Sequence, residues 1–278
     1  IFFLTSCGTR EYLGFEKKKI RIEGKRVSIL KENITDSTEK KSTVDIVLED
    51  IIILQNWLQS YNSPSHLSLN YDSESKLDRF RTLVSGVGEG KKSKILSQPV
   101  IYDDLIFFLD AKSNVISFNL RTNKIVWKRN ISIKNERNHD IGGGIGIFKN
   151  SLIINSPYGQ IISLEILTGK KKWELDVDSS IRSAPTVFDN KVLSLTSSNK
   201  LYVLNAVDGS LLWQHQGIFN NTTLIDSPKV AVDENIIIVP YSNGEFFALN
   251  LNNGKEIWRS SFIDLEVKET SNAFSDID

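Results

Sequence analysis

Four tryptophans, Trp127, Trp173, Trp213 and Trp258, close four copies of one pattern that runs from Gln98 to Trp258. Each copy opens on a short apolar strand: PVIYDDLIFF, GIFKNSLII, PTVFDNKVL and KVAVDENIIIV. A first polar turn falls at Asp103-Asp104, Lys149-Asn150, Asp189-Asn190 and Glu234-Asn235, between two runs rich in β-branched and aromatic residues. A second turn carries Ser113-Asn114, Tyr158-Gly159, Ser198-Asn199 and Asn243-Gly244. The third strand reads VISFNL, IISLEI, LYVLNA and FFALNL. Its third residue is Ser117, Ser163, Val203 or Ala248, small enough to admit a neighbouring layer. A third turn reads TNK, TGK, DGS and NGK. Gly169, Gly209 and Gly254 stand where a positive φ is expected, with Asn123 as the tolerated substitute. Three turns separate four strands in every copy.

A unit of about 40 to 46 residues with four short antiparallel strands has the size of one β-propeller blade. Helical solenoid repeats of that length would show a 3.6-residue period, whereas these segments alternate with period two. The expected fold is therefore all-β, with repeats at 98–127, 141–173, 183–213 and 226–258 and the start of a further blade behind them. The endings SLEILTGKKKW and ALNLNNGKEIW resemble the tryptophan-docking motif of the PQQ-type propeller repeat. In that family the indole caps the outer strand of one blade and packs over the adjoining turn, which implies a blade-docking role for Trp127, Trp173, Trp213 and Trp258.

Charge is balanced, with 34 Lys+Arg against 34 Asp+Glu, so nothing recommends a nucleic-acid surface. Hydrophobic residues make up 40%, ample for a core. The sequence holds no methionine, so Ile1 is expected not to be the natural start. The run Ile-Phe-Phe-Leu-Thr-Ser-Cys at 1–7 resembles the end of a bacterial lipoprotein signal peptide, in which residues 1–6 would be removed and Cys7 acylated. The plain alternative is a buried strand, but the chain turns polar at once after Cys7. Several acyl chains, at about 0.8 kcal/mol per buried CH₂, would anchor the protein permanently. Gly8, where aspartate would signal inner-membrane retention, favours the outer membrane. A lone cysteine leaves no intrachain disulfide.

Residues 7–44 read as a lipidated N-terminus, a strand pair around Glu23-Gly24 and a polar linker from Ile34 to Val44. DIVLEDIII at 45–53 is a further strand candidate, opening a partial propeller domain over 45–278. QNWLQSYNSPSHLSLN follows, with Trp57 outside the repeats. Gly86, Gly88 and Gly90 invite a nucleotide-loop reading, but no strand-to-helix unit surrounds them. Gly142-Gly143-Gly144 reads as a turn leading into a blade.

This layout, from the lipobox through EGKRVSIL, the linker and QNWLQSYNSPSH into QPVIYDD, resembles the BamB family of outer-membrane assembly lipoproteins, in its alphaproteobacterial form. The resemblance implies an eight-bladed propeller of which this chain holds about half. It also implies a non-enzymatic scaffold, lipid-anchored on the periplasmic face of the outer membrane, that binds the periplasmic domains of BamA in the barrel-assembly complex. The family's contacts lie in loops between blades. One has Leu-x-Leu-Arg before Ser-Ala-Pro and matches Thr222–Pro228 here; Leu224 keeps a leucine, Ile225 replaces the arginine and Asp226 follows. The other matches Ser275–Asp278 and carries Asp276 and Asp278 onto partner-binding positions. Exposed blade edges would additionally suit unfolded barrel strands by β-augmentation. A half-ring would leave two blade faces unpaired, so this stretch alone is expected to aggregate or to be marginally stable.

Catalytic chemistry finds little support. His66, His139 and His215 are scattered, with no metal-ligand spacing, and no GxSxG or HExxH occurs. Asp103-Asp104 falls on a turn that recurs in every repeat, which makes it architecture rather than an acid–base pair. Two other readings stay open. One is a quinone-dependent dehydrogenase, whose family shares the blade motif and holds its cofactor over the propeller axis. The other is a propeller lipoprotein that binds a different envelope partner.

Overall fold

The computed structural model describes residues 50–67, 69–72, 82–90, 94–133, 142–218 and 228–262. Sixteen strands lie among them, in four four-stranded antiparallel sheets. The first blade is β1 (Val100–Tyr102), β2 (Leu105–Leu109), β3 (Asn114–Asn119) and β4 (Lys124–Asn130). The second is β5 (Gly144–Phe148), β6 (Ser151–Ser156), β7 (Gln160–Glu165) and β8 (Lys171–Asp176). The third is β9 (Thr186–Phe188), β10 (Lys191–Leu195), β11 (Lys200–Asn205) and β12 (Leu211–Gln216). The fourth is β13 (Ala231–Asp233), β14 (Ile236–Pro240), β15 (Glu245–Asn250) and β16 (Glu256–Ser261). In every blade the strands pair in chain order, so each connection is a hairpin. All-β propeller architecture, expected from the repeats, is what these residues build.

The turn chemistry follows the repeats. Asp103, Lys149, Asp189 and Glu234 carry positive φ in the first turn of their blades, and Ser113, Gly159, Asn199 and Gly244 do so in the second. In the third turn Asn123, Gly169, Gly209 and Gly254 all adopt the left-handed conformation, with φ between 55 and 76°. Gly142–Gly144 leads into β5, where a Cβ on Gly144 would come within 2.4 Å of Ala184.

Period two on each strand sends alternate side chains to opposite neighbours. Leu152 and Ile154 join Phe107, Leu109 and Val115 between the first two blades. Ile153 and Ile161 point the other way and meet Val192, Tyr202 and Leu204. Leu193, Leu195 and Val203 then pack with Val232, Ile237 and Val239 between the last two blades. Strands β5 and β6 are therefore buried along their whole length, and even the polar Ser151, Asn155 and Ser156 of β6 lie inside. Each fully buried Ile or Leu contributes about 1.5 to 3 kcal/mol. The first strands of successive blades contact one another and converge on a common axis, whereas β4, β12 and β16 are largely exposed at the rim.

The segment 45–53 departs from the strand expected there. Among its described residues only Ile52 pairs, through an isolated parallel bridge to Tyr71, and Ile51 and Ile53 are exposed. Among the described residues 50–53, none belongs to a named strand. Its other residues, like the strand pair around Glu23-Gly24 and the linker 34–44, fall outside the described residues.

Candidate functional site

At the rim, each tryptophan is set by the same local device. The β3–β4 register shifts between Ser117 and Phe118, and identical shifts follow Ser163, Val203 and Ala248. The extra residue is a β-bulge, which re-aims the side chain beside it. Trp127, Trp173, Trp213 and Trp258 sit just past the bulge, directly opposite those four small residues, all fully buried. The indole N–H of Trp127 donates to the carbonyl of Ile166 at 2.8 Å, that of Trp173 to Ala206 at 3.2 Å and that of Trp213 to Leu251 at 3.1 Å. These acceptors stand three residues before Gly169, Gly209 and Gly254, so each indole bridges to the third turn of the next blade. Trp258 is 44% exposed and makes an edge contact to Phe246 at 5.7 Å.

At the axis lies a feature that the repeats did not announce. Trp57 exchanges both backbone hydrogen bonds with Ile101 of β1, at 2.9 and 2.7 Å. Leu58 accepts from Ile147 of β5 at 2.8 Å, and Pro64 accepts from Val232 of β13 at 2.8 Å. Between them the buried side chain of Gln59 grips Val187 of β9. Its Oε1 accepts the Val187 N–H at 2.9 Å and its Nε2 donates to the Val187 carbonyl at 3.1 Å. Nothing local in the sequence signals this, because Gln59 and Val187 are 128 residues apart.

Against the β2–β3 face of the first blade, an apolar cleft of about 600 Å³ is lined by Leu83, Val84, Val87 and Ile95, with Ile106, Phe108 and Phe118 on its wall. Asp110 stands at its edge. Burial works against ionisation there, but the amides of Val87, Asn114 and Lys112 and the Asn114 side chain donate to it and hold the carboxyl below its usual range. Gly86 packs on Asp110 and Gly88 lines the same cleft, so these two glycines belong to a segment lying on the blade.

His66 and His215 are not brought together. His66 lies tilted against Tyr61 with ring centroids 5.4 Å apart, and His215 Nδ1 lies 2.6 Å from the buried Tyr241 hydroxyl. Among the described residues no group of His, Cys, Asp and Glu could hold a metal ion. Cys7, Leu224, Ile225, Asp226, Asp276 and Asp278, and likewise His139, lie outside the described residues. No helix among the described residues is long and apolar enough to cross a membrane.

Comparison with known proteins bears on this architecture. Residues 111–277 match the family described as outer membrane protein assembly factor BamB. An uncharacterized protein of Rickettsia prowazekii is 29% identical over 252 residues, covering 90% of this chain and 58% of its own. The outer membrane protein assembly factor BamB of Nitrosomonas eutropha is 21% identical over 163 residues, 59% of this chain and 38% of its own. Among solved structures, a europium-containing methanol dehydrogenase superposes with a TM-score of 0.60 at 14% identity, over 74% of this chain and 49% of its own, a likeness of fold alone. The chain spans about half the length of the curated relatives it matches.

Proposed function

The chain belongs to the BamB family of outer membrane protein assembly factors, and on that premise we propose that it is a non-enzymatic scaffold of the β-barrel assembly machinery, binding the periplasmic domains of BamA. The family match across residues 111–277, which takes in parts of all four blades, is the observation that carries this reading. Three tryptophan bridges join the blades into a stiff platform, and a stiff platform presents loop side chains at little entropic cost on binding. The partner contact is assigned to the inter-blade loops, with Leu224, Ile225 and Asp226 in one and Asp276 and Asp278 in the other. Acylation at Cys7 would hold the scaffold on the periplasmic face of the outer membrane.

The bonded inner strands support a binding role over a quinone-dependent dehydrogenase. A cofactor on the axis needs free donors there, whereas the inner-strand amides of Ile101, Ile147, Val187 and Val232 are bonded to the chain's own residues 57–64. The test is purification of the complete tagged protein from outer membranes, beside an Asp276→Ala, Asp278→Ala variant. Recovery of the assembly complex, weakened in the variant, is the expected result. Equal recovery with both proteins would keep the scaffold role and overturn the assignment of the two aspartates. Recovery of no assembly component would overturn the role itself.

A further inference from the structure

The innermost strand of a propeller blade turns one edge to the axis, and an edge strand leaves amides without a ladder partner. Ile101, Ile147, Val187 and Val232 occupy the same place in their blades, each two residues before the left-handed residue of the first turn at Asp103, Lys149, Asp189 or Glu234. All four of these amides donate to one stretch of chain. Successive residues serve successive blades: Trp57 the first, Leu58 the second and Gln59 the third. The chain then turns through Ser60–Asn62, and Pro64 serves the fourth.

The conformation of the stretch is fitted to that task. Gln59 is fully extended, with φ −159° and ψ 178°, and its side chain reaches Val187 while the carbonyls of Trp57 and Leu58 accept from β1 and β5. Tyr61 and Asn62 then adopt φ of 58° and 56°, a left-handed turn that a tyrosine takes only when surrounding contacts impose it. Those contacts are present. Leu58 N–H donates to Asn62 Oδ1 at 3.0 Å, Tyr61 N–H to Gln98 Oε1 at 3.3 Å and Asn62 N–H to the Gln59 carbonyl at 2.9 Å. Asn56 Oδ1 in addition accepts from Asp103 in the first turn of the first blade, at 2.7 Å.

We infer that residues 57–64 are an axial strap, which acts as one unit to fix the four blades about a common hub and to keep that hub closed to other molecules. The tryptophan bridges join blades in pairs at the rim, whereas the strap engages all four at the centre. Closing the hub directs any partner to the blade rims and the loops between them. This inference stands independently of the scaffold role.

Hydrogen exchange on the whole protein, resolved to single amides, tests it. In Gln59→Ala the amides of Ile101, Ile147, Val187 and Val232 are expected to exchange faster by a common factor of about tenfold or more, while the β2–β3, β6–β7, β10–β11 and β14–β15 ladders keep their rates. Acceleration at Val187 alone would overturn the strap, since the pair would then be a local contact. Should Gln59→Ala loosen every ladder, the milder Asn62→Gly decides. It keeps the left-handed turn and removes only the acceptor of the Leu58 amide. A smaller but shared acceleration at the four hub amides supports the unit, and independent responses overturn it.

Discussion

Gly169 lies against the indole of Trp127, so closely that a Cβ added to it would meet Trp127 Cδ2 at 2.7 Å. Gly209 and Gly254 meet Trp173 and Trp213 in the same way, each at 2.6 Å. The first repeat has Asn123 at this position with a φ of 55°, and that residue is exposed. Left-handed backbone alone therefore admits asparagine; the ring above the turn is what demands glycine. Gly209→Asn is expected to lose about 1 to 3 kcal/mol or more through overpacking, although asparagine suits the φ. Asn123→Gly should cost less than about 1 kcal/mol. Urea titration of the two variants checks the contrast, and equal costs would show that φ alone sets the residue.

The four tryptophans are not equivalent in their surroundings. Trp173 is 9% exposed and bonded to Ala206, whereas Trp258 is 44% exposed. Trp173→Ala is expected to cost about 3 to 5 kcal/mol, the range for deleting a buried aromatic side chain. In this chain Trp258→Ala should cost less than about 2 kcal/mol, because much of the ring is already in water. Denaturation midpoints at constant slope would read both values.

The blades were legible in the sequence because their signals are local. Alternation of apolar residues, polar pairs at 103, 149, 189 and 234, and glycine at 169, 209 and 254 each lie within a few residues of the element they specify. The hub was not legible. Trp57 and Gln59 lie in QNWLQSYNSPSH, which carries the family resemblance but shows no pairing, and their partners at 101 and 187 are defined only once the blades have closed around the axis. Glycine's second reason, the indole above it, is also non-local, since Trp127 and Gly169 meet only across a blade boundary. The candidate contact residues at 224–226, 276 and 278 rest on resemblance, and lie outside the described residues.

The third strand offers a stabilising substitution. Ser117 and Ser163 are fully buried, and their hydroxyls find no hydrogen-bond partner among the described residues. The fourth blade places Ala248 at the same point, opposite its own tryptophan. An unpaired buried hydroxyl costs about 1 to 3 kcal/mol, so Ser163→Ala is expected to raise stability by roughly 0.5 to 1.5 kcal/mol once the lost packing is counted. A lower urea midpoint for the variant would mean that the hydroxyl has a partner, a buried water being the first candidate.

Acid should weaken the fold through His66, two residues past the strap. Burial, reinforced by the charge of Lys229, lowers its pKa from 6.5 to about 4. The unfolded chain therefore binds the proton more readily than the folded one between these values. Stability contributed by the neutral ring is complete above pH 6.5, falls as pH drops toward 4 and changes no further below it. The full shift corresponds to about 3 kcal/mol, which the half-buried position of the ring reduces to about 1 to 2 kcal/mol. His66→Asn removes the titration and keeps a residue suited to the φ of 58° at this position. Wild-type and variant proteins share every carboxylate and every other histidine, so the difference between their unfolding free energies at pH 7 and pH 4 isolates His66. It is expected to shrink in favour of the variant as pH falls. A difference that stays constant with pH would show that His66 titrates alike in both states and that the ring is not held neutral by the fold.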